Sequence, residues 1–158
     1  MNDFLEKKLK TLKIKRYLTK NRVLANYKPY LLNSDLIFIS GQLPLTNDGI
    51  SFPGKITMKF DPIKTKKLIE ITTANLFWNL SDCISNVKKR ITVIKCCNIK
   101  GYLNCENTFT DHPLILNFCS NMIVKVLGEN GKHTRVAVGV SSLPMNSSVE
   151  IEGIFSIS

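Results

Sequence analysis

Hydrophobic positions along the chain switch repeatedly between a helical and an extended period. Within residues 2–12, Leu5, Leu9 and Leu12 recur at helical spacing among lysines, which predicts a short amphipathic helix. Residues 30–42 read as a hairpin, with Asn33, Ser34 and Asp35 at its turn and residues 36–40 as a second strand apolar on both faces. Asn47-Asp48-Gly49 and Pro53-Gly54 mark turns in the surface loop that follows. Asp61-Pro62 is a helix start: the carboxylate can accept from free N–H groups of the first turn, where proline's missing N–H costs nothing. The helix extends to about Asn86 along a stripe of Ile69, Leu76, Leu80, Cys83 and Val87. Residues 91–99 follow as a β-rich strand. A second long helix starts near Asp111, with Pro113 in its first turn, buries Ile115, Phe118, Met122 and Val126, and stops at Gly128. Two strands, 133–140 and 149–157, end the chain as a pair joined by residues 141–148.

This order predicts an α+β fold: a single mixed sheet with two long helices on one face, plus an N-terminal helix. A chain of 158 residues can build one such core and not two. Residues 1–22 read as a basic helical extension and residues 23–158 as the domain proper. The longest uncharged stretches, 36–47 and 112–124, fall short of the ~20 apolar residues that span a bilayer. Asp3 and Glu6 interrupt the apolar run a secretion signal would need, so the expected location is cytoplasmic.

Charge changes this picture only locally. Lys and Arg number 22 against 12 acidic residues, but residues 1–22 alone hold eight basic and two acidic side chains. The rest of the chain is only mildly basic, and just four of the basic residues are Arg, the type favoured for bidentate phosphate and base contacts. The distribution argues against nucleic acid as a partner. Five cysteines (Cys83, Cys96, Cys97, Cys105, Cys119) without C-x-x-C spacing argue against both a disulfide framework and a zinc site, and His112 and His133 add no ligand set.

The last two strands carry the candidate chemistry. Alternation puts Val136, Val138 and Val140 on one side and Arg135, Ala137 and Gly139 on the other; Val149, Ile151, Phe155 and Ile157 likewise oppose Glu150, Glu152 and Ile154. With both valine-rich faces on the helices, Arg135, Glu150 and Glu152 all project from the far side of the sheet, which a one-residue slip would reverse. Ile37, Ile39, Ala137, Gly139 and Ile154, or their neighbours, make that side partly apolar, and a second subunit is the expected cover. An Arg there is either a structural ion pair or an anion site.

Three runs, Ser40-Gly41-Gln42-Leu43-Pro44, Arg135 through Pro144, and Val149-Glu150-Ile151-Glu152, together with Leu24-Ala25-Asn26-Tyr27, resemble the Rid/YjgF family of reactive-intermediate deaminases, also labelled L-PSP endoribonucleases. The N-terminal helix, the longer middle and the approach to Arg135 through Gly131 and His133 resemble the longer, YjgF/chorismate-mutase-like branch. The resemblance implies a chorismate-mutase-like fold of the bacillus type and a homotrimer with pockets between subunits. It implies that Arg135 binds the carboxylate of a 2-imino acid or enamine with help from the Gly41 backbone, and that Glu150 activates the attacking water. Tyr27, Ser40, Asn117 and Ala137 would line the pocket; at Ala137 many deaminating members carry cysteine. Neither metal nor cofactor is implied. The function so implied is hydrolysis of reactive imines to 2-oxo acids and ammonia. The alternatives are a non-catalytic protein that binds small carboxylates and an RNA-binding or endoribonuclease-like member.

Overall fold

The computed structural model describes residues 2–19 and 26–158. Leu24, Ala25 and the boundary drawn between residues 22 and 23 lie outside the described residues. Helix α1 (Phe4–Thr11) is followed by the hairpin β1 (Tyr30–Asn33) and β2 (Leu36–Gln42) and the small ribbon β3 (Leu45–Thr46) and β4 (Gly49–Ile50). Then come α2 (Pro62–Ser85), β5 (Ile94–Asn104), α3 (His112–Leu127), β6 (Thr134–Val140) and β7 (Val149–Ile157). The main sheet has the order β1-β2-β7-β5-β6, antiparallel throughout except for the parallel β5–β6 pair. It is a chorismate-mutase-like α+β fold with the two long helices on one face of the sheet.

Helix α2 starts as its sequence dictates. Asp61 accepts from the N–H groups of Ile63 (2.8 Å) and Lys64 (3.2 Å), with Pro62 in the first turn. Such a cap contributes about 1 kcal/mol. The helix is the centre of the molecule: Ile69, Leu76, Phe77, Leu80 and Ile84 are fully buried against Ile37, Ile151, Phe155 and α3. Helix α1 is docked rather than free, with Leu5 and Leu9 in the core. The Asn2 side chain donates to the carbonyls of Val87 and Lys89 and accepts from the N–H of Ile91, latching the N-terminus to the turn after α2.

Four expectations are corrected. The strand after α2 is longer and later than expected, because the N–H of Ile91 goes to Asn2 and those of Thr92 and Val93 donate to the Ser158 carbonyl. In α3 the fully buried positions are Ile115, Leu116, Cys119, Ile123 and Val126, while Phe118 and Met122 are only partly covered, so the buried stripe is rotated toward the sheet. The last two strands do not pair, since β5 lies between them. Finally, β6 faces the other way. Arg135, Ala137 and Gly139 are opposite Ile99, Gly101 and Leu103, all on the helix side, and Val136 and Val138 are exposed on the far side. Ile37 and Ile39 are also on the helix side; their neighbours Leu36 and Phe38, with Leu31 and Ile154, form the far face. Among the described residues no helix is long and apolar enough to cross a membrane.

Candidate functional site

The edge strand β6 holds Arg135 over one stripe of α3. Pro113, Asn117 and Ser120 follow one another at four- and three-residue steps and so share a helix face. The guanidinium donates to Asn117 Oδ1 (2.8 Å), Ser120 Oγ (2.9 Å) and, at 3.4 Å, the Pro113 carbonyl. All three acceptors are neutral, and among the described residues no carboxylate is within 4.0 Å of it. A guanidinium oriented by neutral oxygens keeps its full charge for an incoming anion.

Ser120 is itself oriented. His133 Nδ1 is 2.6 Å from the Gly131 carbonyl, which can only accept, so Nδ1 carries a proton and donates to it. The Ser120 hydroxyl is 3.1 Å from His133 Nε2 and accepts from Arg135, so the imidazole and the guanidinium fix its position together. Farther along the same groove, Gly139 passes close to His112 and Cys105, whose Nε2 and Sγ are 3.5 Å apart. A side chain at Gly139 would sit 2.7 Å from His112 Nε2, so close approach requires glycine.

Glu150 belongs to a different place. It lies on the far face of β7 and is opposite Tyr102. Its carboxylate fills the space over Gly41, where a Cβ would come within 1.9 Å of Glu150 Oε1. Burial, and secondarily the charge of Glu152, raise the Glu150 pKa above the ordinary carboxylate range. Glu152, two residues on, is neutralised by Lys100 at 2.7 Å. Glu150 has no such partner among the described residues.

The β2 strand delivers Gly41 through a bulge: Ile39 pairs with Gly153 and Gln42 with Ile151, so β2 carries one residue more than β7 between them. Ser40 fastens the preceding segment, donating its hydroxyl to the Lys28 carbonyl (2.7 Å) and its N–H to that of Pro29 (3.0 Å). Tyr27, next to this anchor, is 47% exposed.

The sequence-predicted residues therefore form two groups. Arg135, Asn117 and Ala137 share the groove of β6 and α3; Glu150, Gly41, Ser40 and Tyr27 gather at β7, β2 and the segment before β1. Arg135 and Glu150 do not meet within one chain: β5 separates their strands, a gap of about 10 Å, and they point to opposite faces. Sequence reasoning missed Ser120 and His133. Ser120 is one helical turn beyond Asn117, and His133 is two strand residues before Arg135, so spacing alone could have suggested both.

The family described as "YjgF/chorismate_mutase-like, putative endoribonuclease" matches residues 16–155, and the chain belongs to it. Protein TCP17 of Trypanosoma cruzi is 25% identical over 130 residues, covering 82% of this chain and 79% of that protein. The crystal structure of Atu1372 from Agrobacterium tumefaciens, a protein of unknown function, is similar at 30% identity with a TM-score of 0.79, over 99% of this chain and 94% of that one. The yjgF gene product of E. coli shares the fold, with a TM-score of 0.58 at 15% identity over 90% and 98% of the two chains.

Proposed function

We propose that the protein is a cytoplasmic deaminase that hydrolyses 2-imino acids or enamines in pockets between the subunits of a homotrimer. The observation that carries this reading is Arg135, a guanidinium held in place by neutral oxygens with no carboxylate beside it among the described residues. Such a group suits the carboxylate of a small acid. The two groups of residues on different faces support a head-to-tail ring, in which the Arg135 groove of one subunit meets the Glu150 group of the next. Exposed Leu31, Leu36, Phe38, Val136 and Val138 give the far face the apolar character of a surface that a neighbouring subunit covers. The free thiols of all five cysteines suit a reducing compartment.

The chemistry asks little of the pocket. Arg135 holds the carboxylate and the Gly41 N–H assists. Glu150 takes a proton from water as its oxygen attacks the iminium carbon, giving a tetrahedral adduct, and returns the proton to the nitrogen. As the C–N bond breaks, Glu150 takes the proton of the adduct's hydroxyl and passes it to the departing ammonia, so that iminium and water become 2-oxo acid and ammonium. A carboxyl whose pKa is raised by burial holds the proton it takes from water more readily than a free carboxylate does, and so can pass it on to the nitrogen. Positioning supplies most of the rate, because imines hydrolyse in water unaided.

A second reading, non-catalytic binding of small carboxylates, is favoured by the separation of Arg135 from Glu150 within one chain. The two are separated by mixing the protein with an amino-acid oxidase that generates 2-imino acids, trapping free imine with semicarbazide, and comparing wild type with Arg135→Ala. Faster imine loss with wild type alone establishes the deaminase. No acceleration with short, branched or aromatic substrates, alongside saturable carboxylate binding, establishes the binding protein.

A further inference from the structure

On the outer side of the helices, away from both groups described above, the segment after α1 closes a groove between α2 and α3 into a cavity of about 480 Å³. Its floor is apolar, with Leu12, Ile14, Ala74, Phe118 and Met122. Its rim is cationic on all three sides: Lys13 and Lys15 from the segment, Lys66 and Lys67 from α2, and Lys125 from α3. Glu70 is the one carboxylate in the lining, and its nearest ammonium, Lys66, is 4.0 Å away. Among the described residues Lys13, Lys15, Lys67 and Lys125 have no carboxylate within that distance. Tyr17 stands at one end, its hydroxyl accepting from Lys67 at 3.1 Å and its ring flanked by the ammonium groups of Lys15 and Lys67 at 5.3 and 5.6 Å.

The turn that builds this wall is strained. Lys13 closes α1 in the left-handed region (φ 57°), where glycine is the usual residue, with the Ile14 N–H bonded to the Leu9 carbonyl. A lysine held there costs about 1 kcal/mol and directs the chain back over α2 and α3. Phe118 and Met122, which lie outside the sheet-facing stripe of α3 and are only partly covered, are the apolar surface this segment borders.

We infer that this cavity binds an organic polyphosphate with a flat aromatic body, of the nucleoside di- or triphosphate class. A single carboxylate would leave most of the rim unneutralised, whereas a polyphosphate can engage several ammonium groups from different walls at once. Lysine serves phosphate as a point charge, and the apolar floor and Tyr17 offer a ring the surface it needs. The volume lies in the range of small-molecule sites, about 300–1,000 Å³, and suits one nucleotide.

Titration calorimetry with ATP on the wild-type protein at about 50 mM salt tests this, with Lys67→Ala/Lys125→Ala and Arg135→Ala as variants and tripolyphosphate, octanoate and a short single-stranded oligonucleotide as further probes. ATP is expected to bind once per chain, about tenfold or more weaker in the double lysine variant, equally well in Arg135→Ala, and more tightly than tripolyphosphate. Thermal melts of the lysine variant, whose changes are on the surface, are expected to match wild type. No ATP binding, binding unaffected by the lysine changes, or binding lost in Arg135→Ala overturns the inference. So does octanoate binding as well as ATP, or an oligonucleotide that binds where the mononucleotide does not, which makes the occupant a nucleic acid.

Discussion

The Arg135 groove and the Glu150 site are built by opposite means. Arg135 is fixed by directed hydrogen bonds that it donates to neutral acceptors on a helix, so its charge is oriented but not cancelled. Glu150 is fixed by packing: its carboxylate rests on a glycine in a bulged strand and has no cation beside it among the described residues, while its neighbour Glu152 has Lys100. Hydrogen bonds orient the arginine without neutralising it, and burial disfavours the charged form of the carboxyl. Each group lacks what the other supplies, and the fold puts them too far apart to supply it within one chain.

The largest effect expected is on the groove. Arg135→Ala is expected to lower kcat/KM for imine hydrolysis about 100-fold or more, since charge-assisted hydrogen bonds to a carboxylate contribute roughly 1.5–3 kcal/mol each. The melting temperature should hardly change, because Arg135 is exposed. An unchanged kcat/KM breaks the assignment of the groove as the carboxylate site. Next comes Gly41→Ala, which drives a methyl group into the Glu150 carboxylate. It is expected to cost about 1–3 kcal/mol of stability and to reduce kcat more than it weakens binding of an unreactive 2-oxo acid. Equal losses in both would mean that the two groups do not have separate roles.

Glu150→Gln tests the packed site by pH. Its folded pKa is raised, so the carboxyl favours the fold while protonated, and that contribution is lost as pH rises from the unfolded value through the folded one. The glutamine variant is therefore expected to melt close to wild type near pH 4 and above it near pH 7, while losing the turnover that wild type shows near pH 7. A variant less stable than wild type at neutral pH contradicts a half-buried carboxylate with no cation beside it among the described residues.

What was legible in the sequence divides along the same line. Asp61-Pro62 announced α2 because a cap and an N1 proline are local signals, and Gly128 announced the end of α3 for the same reason. The pairing of β6 with β7 was misjudged because nothing local says that β5 inserts between them. The eight residues from Ser141 to Ser148, too long for a tight hairpin, were the available clue. The orientation of β6 was inverted by a rule that usually works, apolar side inward. It fails on an edge strand whose exposed valines lie on a face of its own that other strands also make apolar. Gly41, Glu150, Arg135 and Asn117 were named through resemblance, and the geometry groups Gly41 with Glu150 and Asn117 with Arg135. Their division between two groups follows from sheet order, which no motif encodes.

Smaller effects sharpen the groove. Ser120→Ala removes an acceptor from Arg135 and the link to His133. It is expected to raise KM several-fold, about 1 kcal/mol for one hydrogen bond, with kcat little changed. His133→Ala should act in the same direction and more weakly, because Ser120 can still accept from Arg135. If His133→Ala instead abolishes kcat while KM holds, His133 takes part in chemistry and the separation of roles drawn above is wrong.

The smallest effect expected is the most specific to the packed site. Lys100→Met leaves Glu152 without its cation, although the pair is partly exposed and so contributes only about 0–1 kcal/mol to stability. The electrostatic consequence falls on the neighbour. An uncompensated Glu152 charge on the same strand face disfavours ionisation of Glu150, so the Glu150 pKa, already raised, moves further up. If ionised Glu150 is the base that activates water, the acidic limb of the kcat/KM profile shifts to higher pH in Lys100→Met, and to lower pH in Glu152→Gln, which removes the repelling charge. Shifts of opposite sign from two variants on one ion pair would not arise from a general loss of structure. Shifts of the same sign, or none in either variant, would mean that the group titrating in the profile is not Glu150.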